Sequence, residues 1–170
     1  MARYAFPVYQ PGSYIGPGYQ GTLGYGFPTA LGAAVAGGGR RVLSITGDGG
    51  FGWNLQELAT AARYQLPVTL VVFNDGYYGN VRAIQKRVFG HEVAVALRNP
   101  DFQQLAQSFG VAATQVSDPK ALEGAIQSAN SHAGPVLIEV QVGTMPSPWP
   151  LMGLKPMPGV DIGHPPANLI

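Results

Sequence analysis

The sequence predicts an α/β protein built as a doubly wound, mostly parallel sheet with helices on both faces. Three observations predict it. Short β-branched runs at residues 42–46, 68–73 and 136–142 are bordered by Gly, Pro or Asp, the pattern of strands buried on both sides. Segments with apolar residues at helical spacing lie between them. Strand and helix alternate through the middle of the chain, which calls for helical crossovers and therefore parallel pairing.

The first helix is expected over residues 29–36, because Pro28 suits a first helical turn and Gly37 a C-terminal stop. The strand at 42–46 then runs into Thr46-Gly-Asp-Gly-Gly-Phe-Gly52. Asn54 followed by Glu57 predicts an N-cap with a reciprocal partner, opening a helix with Leu55, Leu58, Ala59 and Ala62 at helical spacing. The strand at 68–73 ends in Asn74-Asp75-Gly76, and a helix follows. Pro100 opens a segment with Phe102, Leu105, Ala106 and Phe109 on one face. A shorter strand is expected at 111–116. Asp118-Pro119 opens a helix that places Leu122, Ala125, Ile126 and Ala129 together, and the strand at 136–142 closes the series. Beyond it prolines crowd the chain, fixing φ and removing backbone donors, so residues 144–170 are expected to form an extended arm. The division is thus a leading segment at 1–14, a domain at 15–143 and the proline-rich arm at 144–170.

Composition narrows the function. A chain of 170 residues, 46% hydrophobic and 11% charged, suits one compact domain. With no cysteine it is no thiol enzyme, zinc ribbon or disulfide-stapled module. Ten Lys+Arg against nine Asp+Glu give a net charge of +1, and no basic stripe exceeds Arg40-Arg41, so a nucleic-acid partner is not expected. No apolar run approaches the ~20 residues that span a bilayer, and the start lacks the layout of a signal peptide; the expectation is a soluble cytoplasmic protein without a membrane partner.

Two strand ends carry candidate chemistry. Gly47, Gly49 and Gly52 satisfy the dinucleotide pattern G-x-G-x-x-G, with Asp75 near the place of its ribose-binding acid. Asp48 stands where that pattern brings the backbone closest to a diphosphate. Two like unit charges ~4 Å apart at an effective dielectric of 20 repel by ~4 kcal/mol, so an anion there needs a bridging cation. Asp75, at the tip of the next strand, supplies a second oxygen ligand to the same sheet edge. Two carboxylates, a backbone carbonyl and diphosphate oxygens form an all-oxygen shell that suits magnesium. The N–H groups of Gly49 and Gly50 are then available to phosphate. Asp-Gly and Asn-Asp-Gly are also ordinary turn formers.

Gly47-Asp48-Gly49, followed 27 residues later (75 − 48) by Asp75 within Asn74-Asp75, resembles the metal-diphosphate motif of thiamine diphosphate-dependent enzymes. The likeness extends through Gln56-Glu-Leu-Ala-Thr-Ala-Ala62, Leu66-Pro-Val68 and Tyr78-Gly79-Asn80-Val81-Arg82, and upstream through Gly21-Thr-Leu-Gly-Tyr-Gly-Phe-Pro-Thr-Ala-Leu-Gly32. It is similar to the C-terminal, diphosphate-binding domain of the acetolactate synthase and 2-oxoacid decarboxylase group. The resemblance implies the thiamine diphosphate-binding fold. Asp48 and Asp75 would be magnesium ligands, with the Tyr77 carbonyl as a third. Gly49, Gly50, Tyr78 and Gly79 would approach the diphosphate. Leu23 would hold the cofactor bent, Gly21 would offer its carbonyl to the 4'-amino group, and Asn80, Val81 and Ile84 would line the substrate cavity. This chain departs from the group's pattern in Asp75 for the usual Asn, in Gly50 for a frequent Ser, and in Ile84 for the tryptophan of acetolactate synthases.

Members of the group activate the cofactor with a glutamate from a separate pyrimidine-binding domain. The glutamates here are Glu57, Glu92, Glu123 and Glu139, and none sits in a motif resembling the activating one. The resemblance therefore implies a lyase or transferase component, inactive as an isolated chain, that meets its pyrimidine-binding partner within the same enzyme or in another subunit, as a homo- or hetero-oligomer. Its small-molecule partner would be a 2-oxo acid, taken through decarboxylation or carboligation. Two other readings stand beside it: a dinucleotide-binding oxidoreductase domain, and a non-catalytic interaction module using the proline arm and Tyr4, Tyr9, Tyr14, Tyr19 and Tyr25. The histidines, His91, His132 and His164, have neither hydrolase nor metal spacing and are expected to be solvated.

Overall fold

The computed structural model describes residues 6–145. Residues 146–170 of the arm expected over 144–170, His164 among them, and Tyr4 near the start lie outside the described residues. The chain reaches its first regular element at α1 (Gly26–Ala36), followed by β1 (Val42–Gly47), α2 (Asp48–Phe51), a 3-10 turn (Leu55–Glu57) and α3 (Leu58–Arg63). Then come β2 (Val68–Asn74), α4 (Gly79–Phe89), α5 (Phe102–Ser108), β3 (Ala112–Val116), α6 (Pro119–Asn130) and β4 (Val136–Gln141). The four strands form one parallel sheet in the order β1-β2-β4-β3. Each strand expected from the sequence is present.

Alternation along the strands loads both faces of the sheet. On one face Leu70, Val72 and Leu137 pack with Phe27 and Leu31 of α1, Phe51 of α2, Leu58 of α3 and Phe102 of α5. On the other, Val71, Ile138 and Val140 meet Leu122, Ile126 and Ala129 of α6. Phe51 stands edge-on to Phe27 at 5.8 Å and to Phe102 at 5.4 Å between ring centroids, which anchors the very short α2 in the core.

The helix start at Asp118-Pro119 follows the sequence reading, while the helix expected to open at Pro100 begins two residues later, at Phe102. Asp118 Oδ1 accepts from the Ala121 N–H at 2.9 Å, with Pro119 in the first turn of α6. Asp101, one residue after Pro100, caps α5 by accepting from the Gln104 N–H at 2.9 Å.

The expected cap at Asn54 does not form. The chain enters α2 directly at Asp48, six residues earlier, and Asn54 makes no side-chain cap. Its amide donates instead to the Gly24 carbonyl at 2.9 Å, and Glu57 Oε2 accepts from the Thr60 hydroxyl at 2.7 Å. A distant carbonyl without another donor outcompetes a local cap. That choice ties the loop before α1 to the segment after α2.

Candidate functional site

Parallel register brings three strand ends together, since Gly47 pairs with Phe73 and Asn74 with Gln141. In such sheets ligands sit beyond these C-terminal ends. Asp48 leaves β1 as the first residue of α2 and is 2% exposed. Its Oδ2 accepts from the Gly76 N–H at 3.0 Å and from Asn99 Nδ2 at 2.7 Å. Asp75, at the tip of β2, accepts from the Tyr77 N–H at 3.1 Å through Oδ1. Burial pushes the Asp75 carboxyl above its ordinary value; the Tyr77 N–H pulls it down, and the Asp48 carboxylate pushes it up again. The two acids are therefore neighbours that repel.

A loop closes over them. Tyr77 bridges Ala96 in antiparallel fashion, the Tyr78 N–H donates to the Val95 carbonyl at 2.9 Å, and the Leu97 N–H donates to the Gly76 carbonyl at 2.8 Å. This ribbon ties off the segment containing α4 and delivers Asn99 to the strand tips. A β-carbon on Gly49 would lie 2.8 Å from the Tyr78 ring and 3.3 Å from Leu97 Cδ1, so glycine there lets the ring lie against the backbone. A β-carbon on Gly50 would lie 2.9 Å from Thr46 Oγ1, and one on Gly79 3.0 Å from Asp75 Oδ2. Thr46 thus fills the space that a serine at position 50 would need. The Arg82 guanidinium lies 3.7 Å from the centre of the Tyr77 ring and pairs with Glu92 at 2.6 Å, fixing Tyr77 against the first turn of α4.

The structure gathers Asp48, Gly49, Gly50, Asp75, Tyr77, Tyr78 and Gly79 at one edge. Gly24, left-handed at φ +82°, meets Asn54 and so pins the loop just after Leu23 to the segment that follows α2; among the described residues no contact brings Gly21 or Leu23 to the acid pair itself. Leu23 is 53% exposed, and on α4 Val81 and Ile84 are 46% and 41% exposed; Asn80 is exposed too. No residue of α4 is buried. The two described histidines contact other groups: His91 meets the Phe89 carbonyl and His132 the Gly134 backbone.

The family model described as "Thiamine pyrophosphate enzyme, C-terminal TPP binding domain" matches residues 1–140. The chain belongs to this family. It is 38% identical over 135 residues to the acetolactate synthase large subunit of Pyropia yezoensis, covering 78% of this chain and 23% of that protein. It is 34% identical over 145 residues to the acetolactate synthase isozyme 2 large subunit of Escherichia coli, covering 84% of this chain and 26% of that one. Among solved structures, a thiamine diphosphate-dependent 4-hydroxybenzoylformate decarboxylase of Rhodococcus jostii RHA1 matches with a TM-score of 0.69 at 34% identity, over 75% of this chain and 24% of that chain. The chain spans about a quarter of the length of these relatives.

Within this thiamine pyrophosphate enzyme domain, the acid pair fits a hard cation. Among the described residues no three His, Cys, Asp or Glu side chains converge, so an ion held by the two carboxylates would have to complete its shell with backbone and ligand oxygens. The hydrogen bonds to Asp48 fall on Oδ2, which leaves Oδ1 for an ion. A cation also relieves the repulsion between Asp48 and Asp75.

Sequence reasoning missed Asn99 and Glu139. Asn74 donates to Glu139 Oε1 at 2.7 Å and Gln141 donates to the same oxygen at 2.5 Å. Glu139 had a signal: a carboxylate inside an apolar strand run must find partners when buried. Asn99, 51 residues from Asp48, had none.

Proposed function

We propose that this chain binds thiamine diphosphate through a magnesium ion, as the diphosphate-binding part of an acetolactate synthase-like enzyme that decarboxylates or ligates 2-oxo acids. The observation that carries the proposal is the pair Asp48 and Asp75 at adjacent strand tips, in a chain matched by the family model over residues 1–140. Asp48, Asp75 and the Tyr77 carbonyl would hold the ion. The first-turn N–H groups of Gly49 and Gly50, with Tyr78 and Gly79, would bind the diphosphate. Leu23 would support the cofactor, Gly21 would accept from its amino group, and Asn80, Val81 and Ile84 would wall the substrate cavity. When bound, the cofactor supplies the carbon nucleophile and electron sink, while the protein binds and orients.

The need for a second domain rests on the glutamates. Glu57 holds Thr60, Glu92 pairs with Arg82 and Lys86, Glu123 meets Gln127, and Glu139 is enclosed with Asn74 and Gln141. None of these partners is a residue assigned to the ion, the diphosphate or the substrate cavity. The activating carboxylate would come from a pyrimidine-binding domain, of the same enzyme or of a partner subunit, docked against Leu23, Val81 and Ile84. These three apolar side chains are exposed at 53%, 46% and 41%, and such exposed apolar surface is what docking covers.

The test is carbon dioxide release from a series of 2-oxo acids with magnesium and thiamine diphosphate present. The chain alone releases none above background, and activity appears when a pyrimidine-binding domain is supplied. Release by the isolated chain would contradict the division of labour.

A further inference from the structure

We infer that Asn99 is a positioning residue for the cation site: it turns Asp48 Oδ2 into the protein and thereby presents Oδ1 to the metal. The inference rests on the magnesium reading above and adds a residue outside both strand-tip motifs. Asn99 Nδ2 donates to Asp48 Oδ2 at 2.7 Å and to Asn74 Oδ1 at 3.0 Å. Chemistry fixes both amides. A carboxylate oxygen only accepts, so Asn99 must turn its NH2 towards Asp48, and Asn74 must turn its NH2 towards Glu139. The Asn74 oxygen is then left facing Asn99 and the Gly76 N–H, 3.2 Å away.

The result is one chain of donors and acceptors running from Gln141 through Glu139, Asn74 and Asn99 to Asp48. Its far end is rooted in β4, where Glu139 is 4% exposed. Asn74 and Glu139 share the sheet face of Val72 and Leu137, so side-chain alternation puts them on the face against which Phe51 of α2 packs. Rotating the Asp48 carboxylate breaks the shorter bond of each donor, 2.7 Å from the Asn99 amide and 3.0 Å from the Gly76 N–H, and leaves both only their longer contacts with Asn74 Oδ1. A ligating carboxylate held in one orientation by such partners needs no reordering when the ion arrives.

The experiment uses terbium(III), a hard oxygen-seeking ion whose emission is sensitised by nearby tyrosines such as Tyr77 and Tyr78, displaced by magnesium from the full 170-residue chain. Thermal midpoints without metal are recorded in parallel. Asn99→Ala is expected to weaken both ions roughly 10-fold, the lower end of what partners of metal ligands contribute. Asn74→Ala, which removes the link to Glu139, weakens them in the same direction by less. Val136→Ala, in the core at the opposite end of β4, lowers the thermal midpoint and leaves both affinities unchanged.

Unchanged affinity in Asn99→Ala, or equal weakening by Val136→Ala, overturns the positioning role. Asp48→Asn separates the two levels. If terbium fails to bind the unaltered chain, or binds Asp48→Asn equally well, the magnesium reading itself falls and takes the inference with it.

Discussion

The backbone N–H of Gly76 donates to Asp48 Oδ2 at 3.0 Å, so the turn that ends β2 is fastened to the acid that ends β1. One hydrogen bond across a parallel pair thus sets where Asp75 and Tyr77 stand relative to Asp48. The sheet supplies the direction, and this contact supplies the register of the site.

Glycine at position 49 is required by packing. Gly49→Ala puts a methyl group 2.8 Å from the Tyr78 ring, and overpacking of this kind costs about 1–3 kcal/mol. Gly124 lies within α6 with nothing within 4 Å of its missing β-carbon, so Gly124→Ala should stabilise by about 0.5–1 kcal/mol through helix propensity. Urea denaturation of the two variants should therefore move in opposite directions.

Phe51 holds α2, and with it Asp48, against the core. It is 1% exposed and lies between Phe27 and Phe102. Phe51→Ala should cost about 3–5 kcal/mol and weaken cation binding as well, whereas Leu122→Ala, on the core-facing side of α6, should lower stability without that second effect. Denaturation and metal titration on the same samples check this.

Asp75 makes the metal-free chain pH-sensitive. Its folded value lies above the ordinary 3.8, so the folded state holds the proton more tightly than the unfolded one. Its contribution to stability is complete below pH 3.8 and is lost as pH rises through the raised value. Asp75→Asn should flatten this part of the stability–pH curve. Magnesium, which favours the ionised acid, should oppose the loss, and its own affinity should fall as Asp75 takes up its proton. Thermal midpoints across pH 3 to 7, with and without the ion, read both effects.

Much of this was legible in the chain. The runs at 68–73 and 136–142 become β2 and β4, buried on both sides at the centre of the sheet. The run at 42–46 becomes β1, an edge strand whose Leu43 and Ile45 are 38% and 39% exposed, so the expectation of burial on both sides fails there. Asp48 and Asp75 are brought together because each follows a strand of the same parallel pair. The Asn54 cap was misread because a local pattern cannot show that the Gly24 carbonyl, thirty residues away, takes the amide. Asn99 was invisible for a related reason: only the ribbon between residues 76–78 and 95–97 returns it to the strand tips.

The most direct measurement is calorimetric titration of thiamine diphosphate into the full chain, with magnesium and with a chelator. Binding that appears only with magnesium, and disappears in Asp48→Asn, is the predicted result. Binding of equal strength in the chelator would contradict a cation bridging the two acids to the diphosphate.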